Sequence, residues 1–379
     1  MKQVHGLYGG GARHSRTAAI LAAAGVALPL IFGASAASAE SRGYLISWFA
    51  VATNNPEFAT NCPEAAKDPN RVKFAVAEDA NIARRKYKAI VNGQEVAPNP
   101  YPSAVPDPNI ETVTTGTRAY GFDLGGPAKN KFIEVDTKEK IDNQLWRAVG
   151  CTTSFQATPP VLPYSETADW LLTQDTSPGY VIQVSGADLN KDGPVKVTLD
   201  RTLRHPERDA TGAIRSNVTY VLDPSPRSHN EFDGEIKNGV LTIKPGKYLY
   251  MVGTMPFYTQ IDLENAHMRL HSEPGGKMVG YWGGYTDWQT WVYCFTARPA
   301  GGADGIALFH ALKKLADYDP DPVTKQNQKI SMTWRLEAVP VFLATLEGSK
   351  VVATASEAGL GGKVRQPPPQ QQRAEEPAR

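Results

Sequence analysis

Two histidines four residues apart, His267 and His271, are the first candidates for chemistry in this chain. They lie in "AHMRLHSEPGG", where polar and apolar residues alternate as they do in a half-buried strand. On a strand His267, Arg269 and His271 share one face, and the two histidines are about 13 Å apart at ~3.3 Å per residue. That is too far to grip one metal ion, and the glutamate of an HExxH zinc site is missing. We therefore expect this face to bind a ligand rather than a zinc ion.

A third histidine precedes two carboxylates in "RSHNEFDGE". His229, Glu231 and Asp233 would share one face of a strand. Together with His267 or His271 from a neighbouring strand, they would form a metal site or an acid/base cluster for hydrolysis. A solvated polar face at a sheet edge explains the same residues, and we prefer that interpretation because catalytic clusters are defined by geometry.

Large aromatic residues are concentrated in "YWGGYTDWQTWVY". Exposed rings here, Trp282 and Trp288 among them, would form a stacking platform for sugar rings. Packing of these rings in the core is the alternative, and it is favoured because large aromatic side chains mostly fill protein interiors. A carbohydrate partner is thus one hypothesis for the ligand.

The segment "DLNKDG" has the first half of a calcium loop, with Asp188, Asn190 and Asp192 as oxygen ligands at alternate positions. The twelfth loop position is Leu199 instead of the bidentate glutamate, so a calcium site here would be weak. A metal-free turn between two strands is the simpler interpretation. The run Asp317–Pro322 also spaces three carboxylates two residues apart, as metal ligands could be. The end of a helix is the alternative interpretation, because proline follows immediately.

Motifs of several enzyme classes are missing from the sequence. It has no GxSxG nucleophile elbow, no P-loop and no dinucleotide-binding glycine pattern. With 40 Lys and Arg against 39 Asp and Glu, the net charge of +1 gives no reason to expect a nucleic-acid partner. We expect a non-enzymatic β protein that binds a ligand or protein partner and requires no cofactor, with calcium as a candidate stabilising ion. The alternative is a metal-dependent or acid/base hydrolase that uses the His229/Glu231 and His267/His271 cluster.

The first 39 residues have the pattern of a Sec-type signal peptide. A basic start precedes the apolar run "TAAILAAAGVALPLIFGA", and Ala37-Ser38-Ala39 fits the signal-peptidase site. No stop-transfer segment follows, so we expect a soluble periplasmic or extracellular product without a membrane anchor.

The remaining chain is predicted to be mainly β. We expect a mixed region over 40–178 and a β-sandwich or jelly-roll-like body over 179–345, because short Val-, Ile- and Tyr-rich runs alternate there with turn residues. "KEKIDNQLWRAVG" and "IALFHALKKLAD" are predicted to be helices from their apolar spacing. The Pro/Gln-rich segment 360–379 is predicted to be a disordered tail.

Three cysteines follow the predicted signal peptide and allow three pairings. Cys62 and Cys151 lie in turn-like settings, whereas Cys294 lies in "TWVYCFTA", which favours a strand. We therefore predict a Cys62–Cys151 disulfide and a buried thiol at Cys294, in a compartment that permits disulfides.

Two segments, "KIDNQLWRAVGC" and "LENAHMRLHSEPGGKMVGYWGGY", resemble segments of a family of exported bacterial β-rich proteins. The resemblance implies an exported β-rich protein and supports the cysteine at 151. It implies no activity and no site residues.

Overall fold

Alternating runs of β-branched and aromatic residues give seventeen strands in the part of the chain that the structure describes. The structure is a computed structural model, and it describes residues 40–67, 88–91, 94–98, 107, 109–152, 155, 178–247, 249–252, 260–296, 305–347 and 350–355. The strands are β1 (Glu40–Val51), β2 (Lys88–Val91), β3 (Gln94–Pro98), β4 (Arg118–Ala119), β5 (Phe132–Glu134), β6 (Lys140–Ile141), β7 (Tyr180–Gly186), β8 (Gly193–Arg201), β9 (Thr219–Val221), β10 (Asn230–Lys237), β11 (Val240–Ile243), β12 (Leu249–Val252), β13 (Gln260–Ser272), β14 (Met278–Asp287), β15 (Tyr318–Pro320), β16 (Asn327–Glu347) and β17 (Lys350–Ala355).

Helices are few and short in the same described residues. The α-helices are α1 (Phe58–Asn61), α2 (Pro63–Lys67), α3 (Gln144–Val149), α4 (Trp288–Thr296) and α5 (Gly305–Leu315). Single 3₁₀ turns cover Asn55–Glu57, Ala128–Asn130 and Pro226–Ser228. None of these helices has the length and apolar character needed to cross a membrane.

Eight strands close into one antiparallel barrel. Their order around it is β1, β7, β8, β10, β11, β13, β14 and β16, which is also their order along the chain. Strand β1 closes the barrel, because Leu45 lies opposite Val181 of β7 on one side and Val339 of β16 on the other. The mainly β prediction is confirmed. The main sheet forms a barrel rather than the expected sandwich or jelly roll, because its first and last strands pair with each other and leave no open edge.

Aromatic rings fill the barrel interior. The Phe49 ring centroid lies 6.2 Å from that of Trp282 and 5.7 Å from that of Trp334, and the two indoles are 5.9 Å apart. An eight-stranded barrel is just wide enough for side chains to fill it. Each of these tilted or edge-on pairs stabilises the core by about 0.5–1.5 kcal/mol beyond its burial.

Helices α4 and α5 pack against the barrel core. Trp291 of α4 lies 5.8 Å from Trp334, ring centroid to ring centroid. Leu308 and Leu312, one turn apart on α5, are fully buried, as the amphipathic pattern predicted. The two helices therefore extend the aromatic core beyond the strands.

Two chain segments cover parts of the outer barrel wall. Residues 109–150, here called the first cover, bury Ser331 and Thr333 completely although both lie on the outer face of β16. Residues 203–222, the second cover, pack Tyr220 against Leu45 and Val339 in a separate apolar cluster. Much of the outer wall is thus buried as well.

The predicted disulfide is confirmed. Cys62, at the end of α1, is bonded to Cys151, which follows α3, with the two Cα atoms 5.5 Å apart. Both cysteines are buried. The bond ties the segment after β1 to the end of the first cover.

Two local predictions are wrong in detail. The helix expected from Lys138 onward begins only at Gln144: Asn143 accepts a hydrogen bond from the Trp146 amide and caps it, while Lys140–Ile141 pairs with β5 as β6. Cys294 lies in helix α4 and not in a strand, because Asp287 accepts a hydrogen bond from the Gln289 amide and starts a helix directly after β14.

Other predictions lie outside the described residues. These are the signal peptide over 1–39 and the tail over 360–379. The described residues all belong to the unit Ser38–Arg379. Within it β1, from the predicted mixed region 40–178, is a strand of the barrel.

Candidate functional site: an outer trough on the barrel wall

The outer face of β13 carries the row His267, Arg269 and His271. Between them Met268 and Leu270 are buried in the barrel core, so the row points outward. The outer wall is therefore where a ligand of these side chains would lie.

The first cover contacts two residues of this row. Arg269 Nη2 donates to Glu134 Oε1 at 2.8 Å, and the Glu134 side chain is fully buried. The Phe122 ring lies 5.3 Å from the His267 ring, and burial lowers the pKa of His267. Of the three, His271 is the one that remains exposed. Arg269 and His267 thus serve to hold the cover in place.

Both tryptophans proposed for ligand binding are buried. Trp282 is 0 % exposed and lies opposite Met268 in register, so its ring faces the barrel interior. Trp288 is 3 % exposed, and its Nε1 donates to the Asn327 carbonyl at 3.1 Å. These positions favour the core interpretation of the aromatic segment, and they place Trp282 on the face opposite His267.

A buried carboxylate, and not another histidine, holds His229. His229 Nδ1 lies 2.7 Å from Asp200 Oδ1, and Asp200 Oδ2 accepts from Thr198 Oγ1 at 2.7 Å. Glu231 pairs with Lys196 at 3.2 Å. Strand β11 separates β10 from β13, so the β13 histidines lie two strands away. Within the described ranges no three His, Cys, Asp or Glu side chains are grouped to hold a metal ion.

The "DLNKDG" segment joins β7 and β8 as a hairpin, with Gly186 opposite Val195. Each of its three proposed oxygen ligands already has a donor. Lys191 Nζ lies 2.8 Å from Asp188 Oδ2, and Arg42 Nη2 donates to Asn190 Oδ1 at 2.7 Å. The Asn238 amide donates to Asp192 Oδ1 at 2.8 Å. A calcium ion would have to displace these donors. Calcium binding therefore stays a prediction.

A buried carboxylate outside the predicted sites lies at the junction of α5, β16 and α3. Asp317 accepts from the Ser331 amide and from Ser331 Oγ, each at 2.8 Å. Ser331 Oγ in turn accepts from the Gln144 amide at 2.9 Å. Burial raises the pKa of Asp317 to about 7. This carboxyl group therefore titrates near neutral pH.

An open trough of about 570 Å³ lies on the outer barrel wall beside the second cover. Its floor comes from β1 and β16, one wall from the second cover, and one end from the turn between β13 and β14. The lining residues are Ser47, Trp48, Arg208, Gly212, Ala213, Ile214, Ser216, Gly275, Lys277, Arg335, Glu337, Val339 and Pro340. We call this feature the outer trough. Its volume suits a drug-sized molecule.

Strand alternation builds the floor of the outer trough. Arg335 and Glu337 point outward from β16, and Trp48 of β1 lies opposite Glu337 in register. Arg335 Nη2 is 3.0 Å from Glu337 Oε1, and its guanidinium carbon lies 5.4 Å from the Trp48 ring centroid. An aromatic ring, a cation and a carboxylate thus meet on one patch of floor.

Positive charge predominates in the outer trough. Its lining includes three cationic side chains, those of Arg208, Lys277 and Arg335, against the single carboxylate of Glu337. Lys277 and Arg335 are both exposed. The arrangement favours an anionic ligand, because charge-assisted hydrogen bonds to carboxylate or phosphate are the strongest that such side chains make.

Local hydrogen bonds shape the wall of the outer trough. Asp209 Oδ1 accepts from the amides of Thr211 and Ala213, and Gly212 adopts a φ of +86° to complete the turn. The Asn217 amide donates to the Pro340 carbonyl at 2.8 Å, which fixes the cover to β16. The wall is therefore formed before any ligand arrives.

The trough was not predicted from the sequence, although the pattern of its β16 residues is visible there. In "TWRLEAV" Trp334 and Leu336 alternate with Arg335 and Glu337, which predicts two polar side chains on one strand face. No local sequence pattern places Arg335 and Glu337 beside Trp48 or Arg208, because these residues are distant in the chain and meet only in the tertiary structure.

Comparison with protein-family models, with curated proteins and with solved structures finds no match to this chain.

Proposed function

We propose that this is an exported, non-enzymatic binding protein that holds a small anionic molecule in the outer trough. The observation that carries the proposal is the set of three cationic side chains around a preformed recess of about 570 Å³. Binding pockets combine such a recess with a few converging polar groups. The predicted signal peptide over 1–39 adds that the ligand would be met outside the cytoplasm.

The test is anion binding to the purified protein, measured by calorimetry and by thermal shift with citrate and inorganic phosphate as probes. We expect saturable binding and a rise in melting temperature. Arg335→Ala and Lys277→Ala should each weaken binding by about tenfold, since a lost charge-assisted contact is worth at least ~1.5 kcal/mol. Lys314→Ala, at an exposed lysine of α5, is the matched control and should bind as the parent does. Equal affinity in all three variants, or no saturable binding of either anion, would refute the proposal.

A hydrolase centred on His229 is the second candidate. Its supporting observation is the 2.7 Å contact of His229 Nδ1 with the buried Asp200, which would orient the ring and leave Nε2 to exchange protons. Hydrolysis of chromogenic esters that disappears in His229→Ala would favour this candidate. Equal rates in parent and variant would dismiss it.

A further inference from the structure

We propose that the ligand of the outer trough is an acidic oligosaccharide, a short chain of uronic acid residues. This inference rests on the proposed function, because it requires the same site to bind anions. It starts from the juxtaposition of Trp48, Arg335 and Glu337 on the paired strands β1 and β16.

Trp48 differs from the other tryptophans of the described residues. Trp146, Trp282, Trp288, Trp291 and Trp334 are each 3 % exposed or less. Trp48 is half-buried and lines the outer trough. A partly exposed indole offers an apolar, electron-rich surface, and the C–H face of a sugar ring can pack against the part that Arg335, 5.4 Å from the ring centroid, leaves uncovered. This position supplies the stacking surface that the segment around Trp282 does not.

The cations of the trough match the charges of a uronate chain. Each uronic acid ring carries one carboxylate, so a short chain presents several anions in succession. Arg335 and Lys277 belong to different elements of the lining, and Arg208, whose Nη1 donates to the Gly212 carbonyl, belongs to the second cover. Successive carboxylates can therefore meet separate cations, whereas a compact ion such as phosphate would engage fewer of them.

Glu337 can accept hydrogen bonds from the hydroxyl groups of a sugar. Its pair with Arg335 is partly exposed, with the Glu337 and Arg335 side chains 31 % and 45 % accessible, and ion pairs near the surface stabilise by only about 0–1 kcal/mol. A ligand carboxylate can take over Arg335, and Glu337 is then available to accept hydrogen bonds from hydroxyls. Ser47 Oγ, which now donates to the Glu337 carbonyl at 3.2 Å, is a further hydroxyl contact in the lining.

The open side of the trough suits a chain better than a single compact molecule. The recess is only partly enclosed by its lining. A bound oligosaccharide could therefore extend out of the open side of the trough without displacing the second cover. Simple anions would bind the same cations but would gain nothing from Trp48.

The experiment compares three probes by calorimetry: a trimer of galacturonic acid, the matched neutral trimer of galactose, and citrate. We expect the uronate trimer to bind at least tenfold more tightly than either of the others. Trp48→Ala should weaken the uronate trimer about tenfold and change citrate binding less than twofold. Trp48→Phe, which retains an aromatic face, should restore most of the loss.

Each contrary result has its own meaning. Uronate and citrate affinities that are equal, or equally lowered by Trp48→Ala, would overturn the glycan inference while the anion-binding function stands. Neutral and acidic trimers that bind equally well would also overturn it. Failure of all three probes to bind would overturn the proposed function and the inference together.

Discussion

The buried carboxylate of Glu134 has hydrogen-bond partners for both of its oxygens. The fully buried Glu134 accepts two backbone hydrogen bonds at Oε2, from the amides of Asp136 and Thr137 at 2.6 Å each. Its other oxygen accepts from Arg269. The Arg269 guanidinium also lies 5.8 Å from the Tyr281 ring centroid. One buried carboxylate therefore depends on one arginine of the barrel wall.

Arg269→Ala should lower the free energy of unfolding by about 3 kcal/mol, because it leaves the Glu134 carboxylate buried without its counter-charge. Urea denaturation measures the loss. His271→Ala, two residues along the same strand face, is the matched control and should cost less than about 0.5 kcal/mol. Adding Glu134→Gln to the arginine variant should recover part of the stability. Equal effects of Arg269→Ala and His271→Ala would contradict this account.

Asp317 should make the folded state less stable as the pH rises. Burial raises its pKa to about 7 from the ordinary value of 3.8, with the charge of Asp142 adding to the shift and the Ser331 hydrogen bonds opposing it. The folded protein then holds a proton that the unfolded chain releases near pH 4. The stabilisation of the folded state by this bound proton is complete below pH 4 and is lost as the pH rises toward 7. The free energy of unfolding falls by a few kcal/mol at most over that range.

Asp317→Asn should remove this slope, since an amide does not titrate, and should be more stable than the parent at pH 8. Urea denaturation at intervals from pH 5 to pH 8 measures it. Asp321→Asn is the control: Asp321 lies in the exposed turn after β15, where hydrogen bonds with Thr324 lower its pKa. The slope should persist in that variant. A parent protein equally stable at pH 5 and pH 8 would rule out the role assigned to Asp317.

Among the elements, the first cover is held in place by long-range contacts that local sequence does not encode. The Cys62–Cys151 bond links residues 89 positions apart and is one of these contacts. It lies outside the barrel strands. Its loss should therefore loosen the first cover without opening the barrel.

A Cys62→Ser/Cys151→Ser double variant should lose about 4–5 kcal/mol of stability by the loop-entropy model. Its near-ultraviolet circular dichroism should remain close to that of the parent, because the interior rings of Phe49, Trp282 and Trp334 stay packed. Thermal unfolding gives the first quantity and the spectrum the second. Collapse of the aromatic signal in native buffer would show that the barrel itself requires the bond.

The β7–β8 hairpin allows a separate measurement. If calcium displaces the donors on Asp188, Asn190 and Asp192, about 10 mM calcium and a dissociation constant of ~0.1 mM would add about 2.7 kcal/mol. The melting temperature should then rise by a few degrees, and Asp192→Ala should abolish the rise. Identical melting curves in calcium and in chelator would reduce the segment to an ordinary turn.

At the scale of the whole molecule, local sequence patterns predicted most individual strands and helices well. They did not predict how these strands and helices pack together. The alternation around His267 identified β13, because the period of two is set by the strand backbone itself. The aromatic run around Cys294 favoured a strand, but a helix begins there with Asp287 as its cap. An aspartate directly before the run is a signal for a helix start that the sequence already contained. The barrel seam depends on pairing between distant strands. The same holds for the trough, whose floor joins Trp48 to Arg335, and no local pattern predicts either.

That seam has a consequence for how the protein folds. Ser47 and Glu337, which meet where β1 joins β16, are 290 residues apart in the chain. Contacts of such long range slow folding, and all-β domains that depend on them fold over milliseconds to seconds or longer. Until β16 is available, β1 and its neighbours expose unpaired edges on which a second copy could add a strand. The floor of the trough is then among the last parts to form. A ligand that binds only the closed barrel would draw late intermediates toward the native state by mass action, and so would raise the yield of refolding as well as the melting temperature.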